Sequence, residues 1–315
     1  MAATPVKRRY TAVAGFFEQD YASNSLSSKE GVSTTTLPGL GLIDRPYDTD
    51  EAFDPRREKH AWERFAHYLD HLNTTSAGKA VYKLIYAARH GEGYHNVKER
   101  EVGTRAWESH WAKLDGDEKT IWADAHLTER GIGQAQAMKT FWETSASTLG
   151  LPLPRRHYAS PLARCLETCE LAFSDLTVSS SSSSSNHHHG TEKIVVVIPP
   201  FKPAIKELLR ERLGVHTCDR RRTRTWIREH HPVFAIEDGF AEQDELWRPD
   251  VRETLLEHAA RVEGFLDDLF ANDGETVVSV TAHSGTIHAL YAAIGHEEVR
   301  VAPGGIVPVL IKAEI

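Results

Sequence analysis

Residues 81–96 read VYKLIYAARHGEGYHN, and this stretch decides the fold. It begins with an apolar run of strand length, which ends abruptly at Arg89, His90 and Gly91. A short apolar run bounded by turn residues is typical of a strand that is buried on both faces. In open α/β sheets, ligands bind outside the carboxyl ends of such strands. We therefore expect this strand to deliver His90 to a ligand-binding crevice.

The same pattern recurs near the end of the sequence. Residues 276–282, TVVSVTA, are typical of another buried strand, and His283 follows them directly. Two histidines at strand ends would face one crevice. Strands alternating with helices predict a three-layer α/β/α sandwich with a mainly parallel central sheet. The remaining strands are predicted at residues 157–159, 194–198 and 306–311, and helices at 60–71, 128–142, 161–173, 206–213, 252–270 and 286–294.

Composition favours one large domain with additions. The chain has 315 residues, 40% of them hydrophobic, and a mean hydropathy of −0.42, which is ordinary for a globular protein. Residues 1–60 are rich in Ser, Thr, Gly and Pro and are predicted to be an arm that packs on the domain. Residues 61–315 form the predicted single catalytic domain. A Ser- and His-rich insertion at about 177–192 is expected to be disordered, since it has too little apolar surface to order itself.

Charge and cysteine content exclude several classes. The net charge of −8 disfavours a nucleic acid partner, which usually meets a basic face. No stretch is apolar and long enough to span a membrane, and no secretory signal is evident. Three cysteines without zinc-like spacing indicate a reducing compartment, by default the cytoplasm. Residues 187–189 are three histidines, which we interpret as part of a solvated loop rather than a metal site.

An arginine near a helix start suggests an anion site. Ser160 and Pro161 are typical of a helix N-terminus, with serine at the cap and proline at the first position. Arg164 would then lie in the first turn. Unpaired N–H groups at a helix N-terminus and the planar fork of arginine both suit a phosphate. The alternative is that Arg164 makes a surface salt bridge.

Four sequence elements together resemble motifs of the histidine phosphatase superfamily, also called the phosphoglycerate mutase-like superfamily. RHGEGYHN resembles its R-H-G-x-x-x-x-N signature, and LTERGIGQA its L-T-x-x-G-x-x-Q-A helix start. SPLARCLET resembles its S-P-L-x-R-x-x-x-T element, and AHSG the strand end of its second histidine. RHGEGYHN with LLRERLGVHTCDRR is further similar to the fungal and plant phosphoglycerate mutase-like branch. The four elements lie at residues 89–96, 127–135, 160–168 and 282–285, and the LLRERLGVHTCDRR segment lies at 208–221.

The resemblance implies a reaction and roles for seven residues. His90 would attack the phosphorus of a phosphate monoester and become phosphorylated, without a metal or other cofactor. The partner would be a small-molecule phosphate ester. Two arginines and a second histidine would surround the phosphoryl oxygens, and positioning together with charge stabilisation is most of the catalysis in phosphoryl transfer. The predicted catalytic residues are His90, Glu211 and His283, and the predicted phosphate pocket comprises Arg89, Asn96, Arg164 and Ser284.

The proton donor has two candidates. Glu211 lies in an L-x-E segment before a glycine, where the superfamily has its acid. Only two residues separate Glu211 from Gly214, whereas the common form has three. Glu207, one turn earlier in the predicted helix, therefore remains a rival.

Departures from the family patterns favour hydrolysis. Residues 97–110 lack the W-N-x-E-N-R-F stretch of cofactor-dependent mutases. Gly93 replaces the Thr or Ser of many members, so one side-chain contact to phosphate is missing. We expect a phosphatase; a phosphomutase and a non-catalytic phospho-ligand-binding protein are the alternatives. Residues 220–222 are arginines that either clasp a second anionic group or pair with Glu237, Asp238 and Glu242.

Overall fold

The computed structural model describes residues 7–24, 35–177 and 198–314. Its strands are β1 (Arg9–Ala12), β2 (Ala80–Arg89), β3 (Arg156–Ala159), β4 (Pro203–Ile205), β5 (Ala235–Ile236), β6 (Val277–Ala282) and β7 (Ile306–Glu314). Their order in the sheet is β1-β7-β2-β6-β3-β4-β5. The pairs β2–β6, β6–β3, β3–β4 and β4–β5 are parallel, whereas β7 pairs antiparallel with both β1 and β2. The sheet is therefore mainly parallel, as predicted.

Helices cover both faces of the sheet. Within the described residues the α-helices are α1 (Asp50–Phe53), α2 (Ala61–Thr75), α3 (Tyr94–Val102), α4 (Thr104–Ser109), α5 (Glu129–Leu149), α6 (Ala163–Phe173), α7 (Arg224–His230), α8 (Leu255–Asn272) and α9 (Ser284–Ala293). Leu84 and Tyr86 of β2 pack with α2, α5 and α6. Ile85 and Ala87 of the same strand pack with α8 and α9 on the opposite face. The alternation along one strand thus builds two apolar cores, and the three-layer sandwich is confirmed.

Two of the long helices begin at residues that satisfy their free N–H groups. Thr128 caps α5 by accepting a hydrogen bond from the Gly131 N–H at 3.1 Å. Thr254 and Glu257 form a capping box at the start of α8. None of the helices in the described parts is both long and apolar enough to cross a membrane.

The prediction of a helix at residues 206–213 is wrong. The structure has a single 3-10 turn, Glu207–Leu209, followed by Arg210 in an extended conformation and by bends at residues 211 and 212. The side chain of Arg210 is fully buried against Asp244, and its carbonyl oxygen accepts a hydrogen bond from Thr286 Oγ1 at 2.9 Å. These tertiary bonds replace the hydrogen-bond ladder that a helix would need.

The start of α6 also differs from the prediction. The helix begins at Ala163 with Leu162 at its N-cap, not at Ser160 and Pro161. Asp124 accepts the Ala163 N–H at 2.9 Å and so caps the helix from a distant loop. Of the strand predicted at 194–198, residues 194–197 lie outside the described residues, as does nearly all of the insertion predicted at 177–192; β4 begins at Pro203.

Residues of the predicted N-terminal arm contact the core directly. β1 extends the sheet at its edge, and Phe16 and Phe17 are buried against Phe65 of α2. Asp20 organises this segment, because its Oδ2 accepts hydrogen bonds from the backbone N–H groups of residues 15, 16 and 17 at 2.7–3.0 Å.

Asp20→Ala is expected to lower the free energy of unfolding by about 2 kcal/mol, because three buried or half-buried N–H groups lose their acceptor. Urea unfolding followed by circular dichroism measures the loss. Glu18→Ala is the matched control, since Glu18 is exposed on the same turn. Equal stability of both variants would contradict this role for Asp20.

Candidate active site

The parallel register brings the two predicted histidines together. β2 and β6 are neighbours, and Arg89 pairs with Ala282, the last residue of β6. His90 and His283 follow directly, and their ring centroids lie 5.1 Å apart. The backbone N–H of His90 donates to the carbonyl of Ala282 at 3.0 Å, which joins the strand ends. Both imidazoles thus lie together at the carboxyl ends of these two strands, where the sequence predicts the ligand-binding crevice.

His90 is held in one tautomer. Its Nδ1 lies 2.6 Å from the carbonyl oxygen of Gly91. Because a carbonyl can only accept a hydrogen bond, Nδ1 carries the proton and Nε2 keeps its lone pair. Burial lowers the pKa of His90 well below its ordinary value of 6.5, and the charges of Arg164 and Arg89 lower it further. Near pH 7 the ring is neutral, which is the state a nucleophile requires.

Arg164 faces the nucleophilic nitrogen. Its Nε lies 3.3 Å from Nε2 of His90, and the side chain is 1% exposed. Nη1 donates to the carbonyl of Cys218 at 2.6 Å, and Nη2 to Asp219 at 3.0 Å. Burial acts to lower the pKa of Arg164, but Asp219 and further neighbouring groups, including Asp124, together raise it, and the pKa lies above its ordinary value. A fixed positive charge therefore stands where a phosphoryl group would meet His90, and the alternative of a surface salt bridge is wrong.

His283 is fully buried beside His90. Its Nε2 lies 2.8 Å from Oγ of Ser160 and 3.4 Å from Sγ of Cys165. Burial lowers the pKa of His283 well below 6.5, and the charge of Arg164 adds to the effect. This ring is therefore neutral and held in place by its neighbours.

The other predicted phosphate-pocket residues differ in their hydrogen bonds and in their exposure. Arg89 donates from Nη1 to the carbonyl of Val301 at 2.8 Å, while its Nε is buried without a hydrogen-bond partner in the described parts. Asn96 accepts the Gly93 N–H at 3.1 Å through Oδ1, which leaves its amide NH₂ as a donor. Ser284 begins α9 with an exposed side chain.

The structure brings Glu211 to the second histidine. Its Oε2 accepts the backbone N–H of Gly285 at 3.0 Å, two residues after His283. A Cβ built on Gly285 would lie 1.9 Å from Oε1 of Glu211. Glycine is therefore required there for the carboxylate to approach the start of α9.

Glu207 is engaged elsewhere. It forms an ion pair with Nε of Arg221, and its other oxygen lies 3.5 Å from Nη1 of Arg210. Both arginines are buried. The two candidate carboxylates are thus separated, one at the histidine pair and one in a structural ion pair.

Sequence comparison gives relatives along nearly the whole chain. A probable phosphoglycerate mutase of Arthroderma benhamiae is 41% identical over 305 residues, which cover 97% of this chain and 84% of the relative. The chain belongs to the phosphoglycerate mutase-like family of the histidine phosphatase superfamily. A probable phosphoglycerate mutase of Saccharomyces cerevisiae is 31% identical over 291 residues, covering 87% of this chain and 91% of the relative.

Structural comparison returns distant proteins. A phosphoserine phosphatase of Entamoeba histolytica overlaps with a TM-score of 0.38 at 16% identity, covering 72% of this chain and 89% of that protein. The chain matches no family model.

In this phosphoglycerate mutase-like chain, the LTERGIGQA segment packs against and supports the RHGEGYHN segment. Gln134 accepts the backbone N–H of Glu92 at 2.7 Å, and the Thr128 N–H donates to the Glu92 carbonyl at 2.9 Å. A Cβ on Gly91 would lie 2.4 Å from the Gly131 carbonyl, and one on Gly131 would lie 2.1 Å from that of Glu92. The two glycines let the loop after His90 pack directly on the start of α5.

The arginines at 220–222 bind carboxylates other than the three considered from the sequence. Arg221 is buried, with Glu207 as its ion-pair partner. Arg220 pairs with Asp115 at 3.0 Å at the surface. Nε of Arg222 lies 3.7 Å from Asp124. Arg221 is thus structural. Neither binding of a second anionic group nor pairing with Glu237, Asp238 and Glu242 describes all three arginines.

A possible metal-ligand set lies beside the pocket. Within the described residues, His216, Cys218 and Asp219 form the one group of three such side chains with ligand atoms within 4.8 Å of one another. Asp219 is bound by the guanidinium groups of Arg164 and Arg252, both at 3.0 Å. Two fixed positive charges on this carboxylate disfavour a cation there.

Sequence reasoning missed three residues that support the histidines. Ser160 contacts His283, and Thr168 accepts the Gly91 N–H at 3.1 Å. His95 lies with its ring centroid 5.5 Å from that of His90. Ser160 could have been found, because it follows a predicted strand just as the two histidines do.

Proposed function

We propose that this protein is a phosphatase that hydrolyses a small-molecule phosphate monoester through a phosphohistidine intermediate on His90. One observation carries the proposal: the unprotonated Nε2 of His90 faces the buried cation Arg164 at 3.3 Å. A neutral nucleophile beside a fixed positive charge suits attack on a phosphoryl group. Three free, buried cysteines support a cytoplasmic setting.

The proposed reaction has two steps. Nε2 of His90 attacks phosphorus, the ester P–O bond breaks, and the leaving alkoxide takes a proton from the carboxyl group of Glu211. A water then attacks the phosphohistidine, the P–N bond breaks, and the carboxylate of Glu211 takes the proton of that water. Inorganic phosphate leaves, and His90 and Glu211 return to their starting states. Arg164, Arg89, His283, Asn96 and Ser284 are the proposed contacts of the phosphoryl oxygens.

Hydrolysis is proposed over phosphomutase activity. A mutase must return the phosphoryl group before water arrives, whereas a phosphatase need only admit water. Residues 97–110 lack the stretch that marks cofactor-dependent mutases. The names of the fungal relatives favour the mutase alternative, so the experiment must compare both reactions.

The test is a phosphate-release screen over sugar phosphates, inositol phosphates, nucleotides and simple monoesters. It runs beside a mutase assay with 3-phosphoglycerate and its bisphosphate. We expect phosphate release from at least one ester class to exceed isomerisation of 3-phosphoglycerate by ten-fold or more. Isomerisation as fast as hydrolysis would contradict the phosphatase proposal in favour of the mutase.

Glu211→Gln is expected to lower kcat by about 100-fold or more, because the amide cannot give up or accept the proton. The loss should be larger for an alkyl phosphate than for p-nitrophenyl phosphate, whose leaving group needs little protonation. Steady-state phosphate release measures both.

Glu207→Gln is the matched control. It removes the same charge from the structural ion pair, so it should lower thermal stability and change kcat by less than about three-fold. A larger kcat loss in Glu207→Gln than in Glu211→Gln would make Glu207 the proton donor.

A further inference from the structure

His95 is a buried imidazole beside His90 to which the proposed reaction gives no role. It lies in the first turn of α3 and is 8% exposed. Its Nδ1 is buried and has no hydrogen-bond partner in the described parts of the chain. Buried imidazole nitrogens that serve only packing are normally hydrogen-bonded, so this unpaired atom requires an explanation.

The surroundings of His95 are those of the phosphate pocket. The ring centroid of His95 lies 5.5 Å from that of His90. Burial lowers the pKa of His95 well below 6.5, and the charges of Arg164 and Arg89 lower it further. The ring is therefore neutral near pH 7, with one N–H donor and one acceptor. It stands among the groups that would bind phosphoryl oxygens, and an anion there would be a partner for its N–H.

Gly93 makes room for the His95 ring. A Cβ on Gly93 would lie 2.8 Å from Nδ1 and 2.9 Å from Cε1 of His95. The backbone of Gly93 has φ −101° and ψ 164°, which any residue can adopt. Glycine is thus required here by the imidazole and not by the backbone. The ring occupies the space of a side chain at position 93.

We infer that His95 is a further phosphate-binding residue, whose imidazole takes the place of a side chain at position 93. This inference rests on the proposed function, since it concerns the same phosphoryl pocket. It makes a reciprocal prediction: a hydroxyl at position 93 conflicts with the imidazole but can substitute for it once the ring is gone.

The experiment is a double-mutant cycle of His95→Ala, Gly93→Ser and the combined variant. For each protein, p-nitrophenyl phosphate kinetics give kcat/KM, and calorimetric titration with inorganic phosphate gives Kd. We expect His95→Ala to lower kcat/KM by about 30-fold or more and to weaken phosphate binding about ten-fold. Gly93→Ser alone should also lose activity, because its Cβ displaces the ring. The combined variant should recover at least five-fold over His95→Ala.

Tyr94→Ala is the control for disturbance of α3, since Tyr94 is 39% exposed in the same turn. It should keep wild-type kinetics. Thermal melts establish that each variant is folded; if His95→Ala is not, His95→Gln and Gly93→Ser test the contact from its two sides.

Unchanged kcat/KM and phosphate affinity in His95→Ala would overturn the inference. So would a combined variant that is no better than His95→Ala, because the ring would then act through packing. Failure of the proposed function is distinguishable: wild-type protein without turnover would refute the phosphatase, while the phosphate Kd values would still decide the role of His95.

Discussion

Replacement of His90 by alanine is expected to lower turnover of a phosphate monoester by about 10⁴-fold or more, the scale of loss when a covalent nucleophile is removed. His90 offers the lone pair of Nε2 because Nδ1 is committed to the Gly91 carbonyl. His283 is not expected to take over this role. Its Nε2 lies 2.8 Å from Ser160 Oγ and 3.4 Å from Cys165 Sγ, so the ring is already engaged.

Two measurements check this result. Phosphate release gives the turnover, and rapid quenching with labelled substrate captures a phosphoenzyme that is acid-labile and base-stable, as phosphohistidine is. The wild type should incorporate label, and His90→Ala should not.

His157→Ala is the matched control for His90→Ala. His157 is buried to the same extent, but its Nδ1 contacts Ser279 and not the pocket. It should lose stability and keep the phosphoenzyme. Label retained on the His90→Ala protein would place the phosphoryl group on another residue.

The strand-end histidines could be predicted because the signal is local. An apolar run followed at once by a polar residue predicts both the strand and the position of that residue at the sheet edge. His90 and His283 satisfy this rule, and parallel pairing of Arg89 with Ala282 is all that is needed to bring them together. The fold class follows from the same runs.

The two secondary-structure predictions that failed depend on contacts far along the chain. Arg210 is buried against Asp244, 34 residues away, and this contact prevents the helix that local periodicity suggests. Asp124 caps α6 across 39 residues, so the helix starts later than Ser160 and Pro161 predict. No window of neighbouring residues contains such information.

Arg164→Ala is expected to affect activity and stability together. We expect kcat/KM to fall by about 10³-fold or more, because the cation facing Nε2 of His90 is lost. The free energy of unfolding should fall by about 2–4 kcal/mol, since Asp219, 2% exposed, loses one of its two guanidinium partners. Phosphate-release kinetics and urea unfolding measure the two effects.

Arg252→Ala separates the two effects of Arg164→Ala. Arg252 binds the other oxygen of Asp219 at 3.0 Å, so its removal leaves the same buried carboxylate half-paired. The remaining bonds of Arg252 go to the carbonyls of Arg212 and Gly214 and to Nδ1 of His216. A similar stability loss is therefore expected, with a loss of kcat/KM of about ten-fold or less.

Arg164→Lys completes the comparison of the Asp219 partners. Lysine restores the positive charge but not the planar fork that holds Cys218, Asp219 and His90 at once. The lysine variant should recover much of the stability, because pairing of the buried Asp219 carboxylate depends mainly on charge. It should recover little of the activity, because transition-state stabilisation depends on where the N–H groups point. Equal loss of activity in Arg252→Ala and Arg164→Ala would mean that Asp219, and not the guanidinium facing His90, is what the pocket requires.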